Sequence, residues 1–159
     1  MILLQNSDFK SHFVGLDCFS YYGRSTDPHS GIQVTKENAE KNINKYNKKG
    51  HTFTLIECDS HSKEIEEKLI KEYGKMDLIF IDGDHSFKGC QQDFSLATKL
   101  SKSGTIVVFD NWSCYGYLNT PNELDVKNAV LKHPDFKLYR QIGAFGQKGN
   151  EDLFVIEKF

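Results

Sequence analysis

Four short apolar runs constrain this fold most. Each ends at an aspartate, and a stretch of helical length separates each from the next. They are "HFVGLDCF" (His12–Phe19), "HTFTLIECDS" (His51–Ser60), "MDLIFID" (76–82) and "TIVVFDN" (105–111). Strands joined through helices of about a dozen residues form β-α-β crossovers and run parallel in one sheet. Near-continuous apolar strands are those that a sheet buries on both faces. By this criterion the run from Asp77 to Asp82 reads as the most buried strand. "FKLYRQIGAFG" and "EDLFVIEKF" then close the chain as an antiparallel hairpin. The expected class is α/β: a doubly wound, mostly parallel sheet with a C-terminal antiparallel hairpin.

The intervening segments carry helix signals. Thr35 is placed to cap a helix with Ala39, Ile43 and Tyr46 on one face, stopping at Gly50. "SKEIEEKLIKEYG" directs Ile65, Leu69 and Ile70 inward and ends at Gly74. "SFKGCQQDFSLATKLSKSG" does the same with Cys90, Phe94, Ala97 and Leu100, and "ELDVKNAVLKHPD" is a helix stopped near Pro134. "GRSTDPHSG" (Gly23–Gly31) is loop by composition.

A chain of 159 residues is one domain's length, taken as 1–159. A formal charge of −2 argues against a nucleic-acid backbone as partner. The cysteines (Cys18, Cys58, Cys90, Cys114) contain no C-x-x-C pair and read as free thiols of a reducing cytoplasm. No run has the length of a membrane span or signal peptide.

In an open α/β sheet, ligands bind beyond the carboxyl ends of the strands. Asp17, Asp59, Asp82 and Asp110 all fall on that rim. Any one of them is explained as a cap of the next helix. Four on one rim repel each other unless a cation or ligand hydroxyls lie between them. If their strands are neighbours, Asp82 and Asp110 meet, with Asn111 beside them. Two carboxylates, an amide oxygen and waters suit Mg²⁺. His85, three residues past Asp82, is either a helix-start residue bonded to Asp84 or to solvent, or a general base near neutral pH. Asp84 is either a helix cap or a further carboxylate of the site. Trp112, Tyr115 and Tyr117 follow Asn111 and form either a binding platform or ordinary packing over the sheet edge.

"MDLIFIDGDHSF…GTIVVFDN", with "FVGLDCF" and "TLIECDS" upstream, resembles the class I S-adenosylmethionine-dependent methyltransferases. The closer likeness is to their metal-dependent O-methyltransferase branch, which acts on catechols, caffeoyl-CoA and macrolide sugars. The resemblance implies Mg²⁺-assisted methyl transfer to a hydroxyl of a small molecule or sugar. It implies Asp17 at the cofactor ribose, Asp59 and Ser60 at the adenine, and Asp82 also at the cofactor. It places Asp82, Asp110 and Asn111 at the metal and His85 as the catalytic base. The family's first strand and glycine-rich turn have no counterpart here, since "MILLQNSDFKS" resembles the tail of the helix that follows them. The expectation is an N-terminally truncated domain, its absent strand lying between those that carry Asp17 and Asp82. Taken as a whole polypeptide, such a domain is expected to lose stability or cofactor affinity, or to form homo-oligomers. Two other readings stand beside this one: an inactive methyltransferase-like domain that binds or oligomerises, and a metal-dependent hydrolase using "DGDH" with His61.

Overall fold

The computed structural model describes residues 10–19, 35–112, 126–146 and 152–159. The Gly23–Gly31 loop, Cys114, Tyr115 and Tyr117 lie outside them. The chain divides into two compact units, Met1–Ser60 and His61–Phe159.

In the first unit, strand β1 (His12–Asp17) runs parallel to β2 (Thr52–Glu57), in register from His12 opposite Thr52 to Asp17 opposite Glu57. The helix between them in sequence, α1 (Lys36–Tyr46), begins where the Thr35 side chain accepts the Asn38 N–H at 3.2 Å. That contact satisfies one of the orphan donors of the first helical turn. Gly15 lets the strands approach closely: a Cβ there would stand 2.7 Å from Leu55 Cδ2. Neither strand, nor α1, contains a fully buried residue.

In the second unit, the Ser62 and Ser86 side chains cap α2 (Lys63–Glu72) and α3 (Phe87–Leu100). A short helix α4 (Val126–Leu131) and a 3₁₀ turn (Pro134–Leu138) follow. The sheet order is β3 (Met76–Ile81), β4 (Ser101–Phe109), β6 (Asp152–Lys158), β5 (Tyr139–Gly146). β3 and β4 are parallel, and β4–β6 and β6–β5 antiparallel, so the closing hairpin forms as expected. Mixed α/β architecture with parallel and antiparallel pairing is the observed class. Among the described residues the sheet is in two pieces, β1–β2 and β3–β4–β6–β5.

The core of the second unit is one cluster. Cys90, Phe94 and Ala97 of α3 meet Val107 and Phe109 of β4, Ala129 and Val130 of α4, and Phe154 and Ile156 of β6. Phe94 packs edge-on against Phe109, ring centroids 5.2 Å apart. The inward face read for α3 is therefore the buried one, Leu100 included. On α2 only Leu69 is buried, whereas Ile70 is 45% exposed and not inward.

β3 departs from expectation. Ile79 and Ile81 pack on the core, but Leu78 and Phe80, on the opposite face, are 42% and 50% exposed. A strand is buried on both faces only if something covers both. Among the described residues, β3 also pairs along one edge alone. Phe80→Ser is therefore expected to lower unfolding stability by about 1 kcal/mol or less, since half the ring is already in water. The urea midpoint measures this.

His133 is buried among apolar groups, its ring 4.6 Å from Phe94. Its Nδ1 accepts the Asp135 N–H at 3.2 Å, and Nε2 lies 2.9 Å from Ser95 Oγ. The Ser95 hydroxyl already donates to the Gln91 carbonyl at 2.9 Å, so the neutral ring carries its proton on Nε2 and donates. Burial pushes the His133 pKa down, against an opposing pull from Asp135. Its contribution to stability is complete above the unfolded imidazole value of about 6.5 and falls away as pH drops through that value towards the folded one. Urea midpoints at successive pH values below 7 should fall more steeply for the native chain than for His133→Asn, which keeps a capping acceptor.

Candidate functional site

Two parallel strands that are neighbours bring their carboxyl ends together, and β3 and β4 do so here. Ile81 is opposite Phe109, and the Asp110 N–H donates to the Ile81 carbonyl at 3.0 Å. Asp82 and Asp110 are thus consecutive with paired positions on adjacent strands. Asp110 is pushed above the usual carboxylate range, first by burial and then by the charge of Asp82 and a hydrogen bond with its side chain. Such a pair holds a proton or a cation between its members more readily than two bare charges. Asn111, directly after Asp110, takes a left-handed conformation with φ of 53°. An amide residue tolerates this better than a branched one, and it turns the chain away from the strand.

His85 Nε2 lies 3.2 Å from Asp82 Oδ1. That hydrogen bond is the main reason its pKa is raised, with burial opposing and the charges of Asp82, Asp110 and Asp84 assisting. With Asp82 as acceptor, the neutral ring keeps its proton on Nε2 and leaves Nδ1 as the proton-accepting atom. The side-chain partner that the structure gives His85 is Asp82, not Asp84.

Asp84 is not the cap of α3; Ser86 is, its hydroxyl accepting the Gly89 N–H at 3.0 Å. Asp84 braces the turn instead, accepting the Ser86 N–H at 2.9 Å and the Ser86 hydroxyl at 2.8 Å. It lies directly over Gly89, where a Cβ would stand 2.4 Å from the Asp84 carboxylate.

The other predicted residues are placed as follows. In the first unit, Asp17 ends β1 and accepts the Phe19 N–H at 2.6 Å, closing a tight turn. Asp59 and Ser60 follow β2, so all three lie at the carboxyl ends of one parallel pair. Trp112 is a packing residue: it is 7% exposed and stacked on Phe154, ring centroids 3.7 Å apart and planes at 11°. His61, read as a ligand in the hydrolase alternative, lies with its Nε2 3.1 Å from Oδ1 of Asp93, a buried carboxylate that sequence reading passed over. Only its odd position in an otherwise apolar helix face signalled it. Among the described residues, no group of three or more His, Cys, Asp or Glu side chains forms a metal-binding cluster. The donor set at Asp82, Asp110 and Asn111, two carboxylates and an amide, still fits Mg²⁺, which takes few protein ligands and keeps several waters.

The model of a family described as a methyltransferase domain matches residues 2–112, well over half of the chain. The chain belongs to this methyltransferase family. A relative of the methyltransferase domain, an uncharacterized protein of Acanthamoeba polyphaga mimivirus, is 27% identical over 130 residues. That match takes in 82% of this chain and 52% of the viral protein, so the chain spans about half the length of the curated relative it matches. Among solved structures, the domain resembles an O-methyltransferase from Bacillus cereus in complex with SAH, with a TM-score of 0.55 and 18% identity. The likeness covers 92% of this chain and 74% of that one. It also resembles TomG, an O-methyltransferase of tomaymycin synthesis from Streptomyces achromogenes in complex with SAM, with a TM-score of 0.58 and 16% identity. Here 92% of this chain and 72% of that one are covered. At these identities the likeness is one of fold, and it establishes the Rossmann-like α/β architecture.

Proposed function

We propose that the domain is an S-adenosylmethionine-dependent O-methyltransferase acting on a hydroxyl of a small molecule or sugar, with Mg²⁺ assisting. The observation that carries this reading is the meeting of Asp82 and Asp110 at adjacent strand ends, with His85 Nε2 3.2 Å from Asp82. S-adenosylmethionine, when bound, supplies an electrophilic methyl group, and Mg²⁺, when bound, lowers the pKa of the acceptor hydroxyl. Asp82, Asp110 and Asn111 are the residues to hold the cation, and Asp17, Asp59, Ser60 and Asp82 those to hold the cofactor. His85 takes the hydroxyl proton on Nδ1 while Asp82 fixes the ring through Nε2. With S-adenosylmethionine bound, the site would direct its methyl group to the acceptor oxygen, leaving a methyl ether and S-adenosylhomocysteine, with the hydroxyl proton on His85. Alignment of oxygen and methyl supplies much of the acceleration.

Transfer of labelled methyl from S-adenosylmethionine to a panel of catechols, phenols and nucleotide sugars, with Mg²⁺ or with EDTA, tests the reading. Metal-dependent product is expected. Absence of both product and calorimetric binding of S-adenosylmethionine to the folded protein overturns it.

A second reading, a methyltransferase-like domain that binds a partner without turnover, is favoured by the exposed Leu78 and Phe80 on β3. Methyl transfer that His85→Ala abolishes rules it out.

A further inference from the structure

Asp93 sits in the middle of α3, where its neighbours Phe94 and Ala97 fill the apolar core, yet it too is buried, at 9% exposure. An ionisable group is rarely buried without a partner, because desolvation disfavours its charge. Its two carboxylate oxygens face different elements. Oδ1 lies 3.1 Å from His61 Nε2, in the turn that leads into α2. Oδ2 lies under Gly83, where a Cβ would stand only 2.7 Å away. Gly83 is not among the glycines with positive φ, so what it requires is space and not a left-handed backbone. Gly83 is also the residue between Asp82 and Asp84, in the turn that carries His85.

From this we propose that Asp93 and His61 form a positioning pair for the Asp82–His85 turn. The carboxylate is held from below by the imidazole and presses against the Gly83 backbone. It thereby sets where the end of β3 turns, and so where the Asp82 carboxylate and the His85 ring point. A hydrogen-bonded carboxylate at a helix mid-point is a stiffer support than an aliphatic side chain, because its direction is fixed by its partner as well as by packing. The pair acts through the turn and touches no reacting atom. Its bearing on catalysis rests on the methyltransferase reading of Asp82 and His85; its bearing on the turn does not.

The test uses Asp93→Asn, His61→Gln and Gly83→Ala in the full chain, read by amide hydrogen exchange and by methyl transfer. Exchange at residues 83–86 is expected to quicken by about tenfold or more in each variant. Exchange of the Val107 and Phe109 amides, in the core strand, should stay within about twofold of the native rate. Equal acceleration at both places, or none at the turn, overturns the proposal. So does failure of both Asp93→Asn and His61→Gln to fold, which would make the pair a requirement of the core and not of the turn. If the native chain transfers methyl groups, kcat should fall in the variants, and KM for S-adenosylmethionine should rise as well, because Asp82 is also assigned to the cofactor. An unchanged kcat overturns the catalytic half of the proposal. Local quickening of exchange in a protein that transfers no methyl groups leaves the positioning pair standing and removes the methyltransferase reading.

Discussion

His85→Ala is expected to slow methyl transfer by about 10²–10⁴-fold while leaving the fold intact. The ring is half-buried, and its Nε2 lies 3.2 Å from Asp82 Oδ1. Its loss therefore removes little packing. On the mechanism proposed above, what disappears is the group that takes the hydroxyl proton, and the expected factor corresponds to about 3–5 kcal/mol of transition-state stabilisation. Single-turnover rates with labelled S-adenosylmethionine, beside urea midpoints for both proteins, make the measurement. Equal rates with equal stabilities would remove His85 from the chemistry.

The largest effect on stability is expected from Phe109→Ala, a loss of about 3–5 kcal/mol. Phe109 is wholly buried, meets Phe94 edge-on, and ends the strand whose next residue is Asp110. The substitution removes the transfer free energy of a ring and opens a cavity that rigid neighbours on α3 and β6 cannot close. Urea unfolding followed by circular dichroism reads the loss. A value near that of Phe80→Ser, about 1 kcal/mol or less, would mean that the cluster around Phe94 is not the stabilising core. The contrast is informative because both residues are phenylalanines in adjacent strands of one sheet, separated by what covers them.

That contrast marks the limit of what apolar patterning conveys. The strands, their acid-ended termini and the Thr35 helix cap were legible in the residues, because backbone geometry and capping are local and act over a few positions. The meeting of Asp82 and Asp110 was legible too. Consecutive parallel strands joined by one helix are usually neighbours, and neighbours bring their carboxyl ends to the same rim. Burial was not: the run between Asp77 and Asp82 is apolar throughout, but whether Leu78 and Phe80 are covered depends on an opposing layer that the run does not encode.

Three side chains found their roles only in three dimensions. Trp112, whose place after Asn111 left a platform role open, went to Phe154, more than forty residues away in the closing strand. Asp84, with a cap and a ligand both open to it, became the brace of its own turn because Ser86 was better placed to cap. Asp93 met His61 across 32 residues of chain and Gly83 across a helix-to-turn contact. Spacing along a chain specifies which face of an element a residue occupies. Which partner waits at that face depends on how distant elements pack, and here that packing put Asp93 beside both His61 and Gly83.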